Sequence, residues 1–139
     1  MACPFFVPTE IVNDGSWPHP SRLPLGAGWV GNCRASGQEL TPSETQVREL
    51  CNLGYASGCA HLPLQRDWDA IRFSVAHVGE DQIAINFVCE LAHGPMENGK
   101  LIFDLASESW VNPHTDPRVS RLAGSFLQAY RLRQTSILV

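Results

Sequence analysis

Val119, Leu122, Ala123, Phe126, Leu127 and Tyr130 recur at the spacing of one helical face, and Arg118, Arg121, Gln128 and Arg131 fall on the other. Asp116 stands where an N-cap belongs and Pro117 at the first helical position, so the pattern predicts an amphipathic helix running through Arg133. Upstream, from Asp69, the period is two. Ile71, Phe73, Val75 and His77 alternate with Arg72, Ser74 and Ala76; after the turn GEDQ, the alternation continues through Ile83, Ile85, Phe87, Cys89 and Leu91. The stretch GPMENG contains Asn98-Gly99, a strong turn signal, and KLIFDLA then reads as a third strand. These segments predict a three-stranded antiparallel meander with one buried face, covered by the last helix.

A second helix is predicted over TPSETQVRELCNLG, with Thr41 as N-cap, Pro42 opening the helix, Glu44 closing a capping box and Gly54 just past the end. Val47, Leu50 and Cys51 share one face at i, i+3 and i+4, which places Cys51 in the last turn pointing inward. Residues 1 to 42 hold six of the ten prolines, together with Gly26, Gly28, Gly31 and Gly37. Proline removes backbone donors and glycine supplies turns, so this segment reads as an irregular wrap over the core, pinned by Phe5, Phe6, Trp17 and Trp29. The expectation is one metal-binding α+β domain over residues 1–139: the N-terminal wrap, a short helix, the meander and the C-terminal amphipathic helix.

With 139 residues, 44% hydrophobic and 17% charged, the chain can bury a core without cross-links. A net charge of -4 argues against a surface built for the phosphate backbone, so nucleic acid is not an expected partner. The first twenty residues contain no basic n-region or apolar h-region of a secretory signal, and no run of about 18 apolar residues occurs, so no membrane span is expected. A cytoplasmic, reducing compartment is the default expectation. There the five cysteines stay as thiols or metal ligands rather than disulfides.

The cysteines divide into two kinds. Cys89 lies mid-strand among Ile85, Phe87 and Leu91, where cysteine serves as a small hydrophobe. Cys3, Cys33, Cys51 and Cys59 lie in or beside loops, whose backbone can bend to aim several sulfurs at one point. Intervals of 30, 18 and 8 positions fit no linear cluster motif but suit a [4Fe-4S] cluster assembled in three dimensions from these four thiolates. Zinc is the alternative: a Cys3His set using His61 in Cys59-Ala60-His61 is open, but no C-x2-4-C or H-x3-5-H pair exists. A thiol-redox pair of Cys51 and Cys59 has least support, because a helix C-terminus disfavours the thiolate. Five packing cysteines are the plain alternative to all three.

Other chemistry is weakly signalled. GAGWVG lacks the Lys-Ser/Thr of a phosphate loop, and GYASG does not place Ser57 at the centre of a nucleophile elbow. His77 falls on the apolar strand face as a core histidine, while Glu90, opposite Cys89, is expected in water; Glu97 and His93 complete a weak acid/base grouping. Arg118, Arg121, Arg131 and Arg133 form either a solvated helix face or a basic edge for an acidic protein partner. The sequence therefore predicts an iron–sulfur protein in electron transfer or a cluster-bearing accessory subunit, with a redox or acidic protein partner; the alternative is a zinc-stapled interaction module.

Overall fold

The computed structural model describes residues 2–12, 19–35, 39–52, 59 and 62–137. Trp17, Gly37, Gly54, Ser57, Gly58 and His61 lie outside the described residues. The architecture is α+β, with two antiparallel sheets and two main helices. In chain order the elements are β1 (Phe6–Val12), a 3-10 turn (Pro20–Arg22), β2 (Gly28–Cys33), α1 (Glu44–Gln46) running into a π-helical stretch (Val47–Asn52), β3 (Ala70–Val78), β4 (Gln82–Leu91), β5 (Gly94–Asp104), β6 (Ser109–Trp110) and α2 (Pro117–Ile137). β1 pairs with β2, and β3-β4-β5-β6 form the second sheet.

The N-terminal segment is thus less irregular than its prolines suggest. Pro8 sits in β1 at a register shift between Pro8 and Glu10, a position where the missing N–H does not break the ladder. Opposite it, Gly31 comes so close to the partner strand that a Cβ would meet the Val7 carbonyl, so glycine is required there. The segment is also tied to the larger sheet. Ala2 and Ile71 exchange both backbone hydrogen bonds, at 2.7 and 2.8 Å, adding one residue to the β3 edge. Phe6, Leu25 and Trp29 from this segment share a core with Ile71, Phe87 and Leu122 from the sheet and α2. Full burial of each such side chain contributes about 1.5–3 kcal/mol.

The meander has four strands, and its turns differ from those expected. The β4–β5 reversal is made by Ala92 and His93, both at positive φ (50 and 68°), as a two-residue turn of this hand requires. Asn98-Gly99 lies inside β5 instead, where Gly99 faces Phe87. A Cβ at residue 99 would come 3.0 Å from the Phe87 ring, so this glycine accommodates an aromatic neighbour rather than a turn.

Two bulges also redirect side chains. The β3–β4 register slips between Val75 and His77, and His77 is exposed rather than in the core. The β4–β5 register slips between Cys89 and Glu90, so both consecutive residues are buried; Glu90, expected in water, is ion-paired to Arg72.

α2 buries most of its predicted stripe, but of the opposite face only Gln128 is exposed, while Arg118, Arg121 and Arg131 are half-buried. Val119, Leu122, Ala123 and Leu127 are buried, and Asp116 Oδ1 accepts from the Arg118 N–H at 2.9 Å as the cap. The helix extends to Ile137 and packs on β1, β3 and β4. Among the described residues no helix is long and apolar enough to cross a membrane.

Gly99→Val is expected to destabilise the fold by about 1–3 kcal/mol through overpacking against Phe87. Asn98→Ala should stay within about 0.5 kcal/mol, since no turn depends on residue 98. Urea denaturation of the two variants checks this; a larger loss in Asn98→Ala would contradict the placement of these residues within β5.

Candidate metal centre

Cys3, Cys33, Cys51 and Cys59 are held by four separate segments. Cys3 follows Ala2, which is fixed to Ile71, and the Cys3 carbonyl accepts from the Phe6 N–H at 3.2 Å. Cys33 ends β2 opposite Phe6 and exchanges two backbone hydrogen bonds with Leu40, each 2.8 Å. Cys51 lies in the π-helical stretch. The Cys59 carbonyl accepts from the Leu62 N–H at 3.3 Å.

α1 begins two residues later than its sequence suggests. Ser43 is the N-cap: its hydroxyl accepts from the Gln46 N–H at 3.2 Å, and Gln46 Oε1 accepts from the Ser43 N–H at 2.9 Å. The capping box is thus Ser43/Gln46 rather than Thr41/Glu44, and Pro42 precedes the cap. In the π-helical stretch that follows, Cys51 and Asn52 are both buried, at 8% and 2% exposure.

Asn52 is the positioning residue that sequence reasoning missed. Its Oδ1 accepts from the Trp29 N–H at 2.9 Å, and its Nδ2 donates to the Trp29 and Val47 carbonyls, each at 2.8 Å. The amide does for Trp29 what a neighbouring strand would do. In doing so it docks the helix carrying Cys51 onto the strand carrying Cys33.

Cys3, Cys33, Cys51 and Cys59 line one small cavity, and the rest of its wall is apolar: Phe6, Ala35, Leu50 and Leu62. About 20 Å³ is free within it, room for one water-sized sphere. Cys3 and Cys51 are buried, whereas Cys33 and Cys59 are half-buried. Cys89 is fully buried elsewhere in the core and does not line the cavity. All five cysteines are free thiols. Among the described residues, no three or more His, Cys, Asp or Glu side chains are gathered in the arrangement that holds a metal ion.

The electrostatics separate thiol chemistry from metal binding. Burial, and secondarily the proximity of Cys3, Cys33 and Cys59, pushes the Cys51 thiol up to about 12. Burial likewise raises Cys3 to about 11, opposed by N–H groups of Phe5 and Phe6 that favour its thiolate. A thiol titrating this high is a poor nucleophile at neutral pH, which weighs against the Cys51–Cys59 redox pair. Backbone donors do point at sulfur: the Ala35 N–H donates to Cys33 Sγ at 3.5 Å. Four sulfurs from four segments face a cavity whose lining holds no charged side chain.

The remaining candidates disperse. Glu97 pairs with His114 rather than with His93: His114 Nδ1 accepts from the Asp116 N–H at 2.8 Å, leaving Nε2 to donate to Glu97 at 3.0 Å. His114 packs edge-on against Trp68 and Phe87, which holds its ring in the core, whereas the Glu97 side chain is 42% exposed. Of the helix arginines, Arg118 is tied to Asp116, Arg131 to Glu108, and Arg133 to the Gly26 carbonyl. Arg121 keeps a buried Nε without a hydrogen-bond partner. Two of these four arginines, Arg118 and Arg131, are thus ion-paired to acidic side chains.

Asn52→Leu leaves the Trp29 N–H and carbonyl unpaired in a buried site, and is expected to cost about 2 kcal/mol or more in denaturant unfolding. A second expectation concerns pH. Buried thiols whose folded pKa lies above the ordinary 9.0 keep their protons after the unfolded chain has lost them, so the unfolded state is favoured as pH rises. Reduced, metal-free protein should therefore hold its stability below about pH 9 and lose it between there and about 11–12. Thermal unfolding from pH 7 to 11 tests this, and Cys89→Ala should flatten the decline. Compared with known proteins, the chain matches no family model, no curated protein and no solved structure.

Proposed function

We propose that this chain is a small iron–sulfur protein binding one [4Fe-4S] cluster through Cys3, Cys33, Cys51 and Cys59, in electron transfer or as a cluster-bearing accessory subunit. The observation that carries this reading is that four cysteines from four separate segments line one apolar cavity while the fifth is packed elsewhere. Such a cluster takes one thiolate on each iron and supplies one-electron redox chemistry. The chain's own part is to hold the sulfurs, to stabilise thiolates with backbone N–H groups near Cys3 and Cys33, and to keep water away on the Cys3 and Cys51 side. With four protein thiolates engaged, no open position is left for substrate, which favours an electron carrier over a catalyst. Five free thiols fit a reducing compartment such as the cytoplasm.

A zinc-stapled structural or interaction module is the second reading, and one observation favours it: the free space of about 20 Å³ suits a single ion. Against it, structural zinc sites usually take two ligands from one tight turn, whereas here each sulfur comes from its own segment.

Anaerobic purification with iron, sulfide and zinc analysis decides between them. About four irons and four sulfides per chain, with a brown colour, is the expected result. One zinc and no colour would replace the first reading with the second, and folded, metal-free protein would sink both. Cys3→Ala, Cys33→Ala, Cys51→Ala and Cys59→Ala are each expected to lose metal. Cys89→Ala should retain it at a stability cost of about 1 kcal/mol.

A further inference from the structure

A second concave site lies away from the cysteines, between α2, β3 and the chain following the 3-10 turn. This cleft of about 410 Å³ is lined by Arg22, Arg72 and Arg133 together with Phe73, Phe126 and Tyr130. Its volume falls within the range of small-molecule sites, about 300–1,000 Å³. Three of the chain's 10 basic residues meet here in a protein of net charge -4, and no lining residue is acidic.

Two of the three guanidinium groups are held in place by the protein. Arg72 is anchored by Glu90, whose side chain is only 4% exposed. Arg133 Nη1 donates to the Gly26 carbonyl at 2.7 Å, and its guanidinium carbon lies 5.8 Å from the Tyr130 ring centre. Gly26 is at φ 72°, and a Cβ there would come 3.0 Å from Arg133 Nη1, so glycine leaves room for this bond. Each anchor uses part of a five-donor group and leaves the other N–H groups to bind. Arg22 is exposed at the end of its turn. The aromatic wall is equally fixed: Phe73 and Phe126 stack with centroids 5.8 Å apart, and Tyr130 lies one helical turn beyond Phe126.

Guanidinium groups lining one cleft favour an anion there, and their planar fork matches phosphate oxygens. An aromatic wall beside them suits a flat ring. We propose that this cleft binds a nucleotide-like ligand, a phosphate-bearing anion joined to a planar ring, with Arg22, Arg72 and Arg133 at the phosphate and Tyr130 and Phe126 against the ring. The site shares no lining residue with the cysteine cavity and does not depend on what that cavity holds.

Calorimetric titration of the full chain with ATP, pyrophosphate and adenosine, at low salt and without divalent cations, tests the assignment. ATP should bind saturably, with pyrophosphate and adenosine each about ten-fold weaker. Arg22→Gln, on an exposed side chain, should weaken ATP about ten-fold, and melting curves establish that the variant is folded. Tyr130→Leu should weaken ATP about five-fold and leave pyrophosphate unchanged. Absence of ATP binding at millimolar concentration, or equal binding by wild type and Arg22→Gln, would overturn the proposal. Pyrophosphate binding as tightly as ATP would also overturn it, leaving only an electrostatic patch.

Discussion

The buried amide of Asn52 is the constraint on which the cysteine site depends. A backbone N–H and carbonyl at Trp29, shut off from water, must find partners or cost stability, and the facing strand does not supply them. Asn52 satisfies both at once and spends its second N–H on Val47, closing the helix that carries it. Asn52 closes the π-helical stretch, where its side chain meets the strand of Trp29. One side chain therefore fixes the helix on the ribbon and, with it, the position of Cys51 relative to Cys33.

The N-terminal ribbon and the larger sheet are joined by few direct hydrogen bonds, chiefly the Ala2–Ile71 bridge, but by a continuous apolar core. Phe6 belongs to both: it packs in that core and also walls the cysteine cavity. Burial, and secondarily the neighbouring thiols, hold Cys3 and Cys51 protonated, so the cavity is a pocket of neutral thiols.

How much of this was legible in the sequence varies with the kind of signal. α2 was readable because cap, proline and 3.6-residue period agree, and β3 and β4 because alternation is a property of the strand alone. The failures have a common physical form. Asn98-Gly99 carries the strongest local turn signal in its region, yet Gly99 was needed for the Phe87 ring, and Ala92-His93 takes the left-handed turn without turn-forming residues. Glu90 and His77 were misplaced by bulges, which shift the alternation by one residue and leave no mark in composition. Pro8 masked a strand because its tolerance depends on register with β2. Cys3, Cys33, Cys51 and Cys59 line one cavity while Cys89 packs in the core, and this placement is the geometry on which the proposed site rests. Asn52 was not legible, because its partner is 23 residues away.

α2 links the two regions of interest without merging them. Its first turns bury Val119 and Leu122 in the core that also contains Cys3 and Cys51, while its later turns present Phe126, Tyr130 and Arg133 to the arginine cleft. From Val119 to Arg133 is 14 residues, about 21 Å along the axis at 1.5 Å per residue. A helix of this length, packed on β1, β3 and β4, behaves as a stiff rod rather than a hinge. Arg133 nevertheless reaches back to Gly26, one residue beyond the core side chain Leu25, whose carbonyl accepts from the Trp29 indole at 3.4 Å. The chain from Gly26 through Trp29 to Asn52 is thus a continuous run of hydrogen-bonded, buried contacts between the cleft and the helix of Cys51.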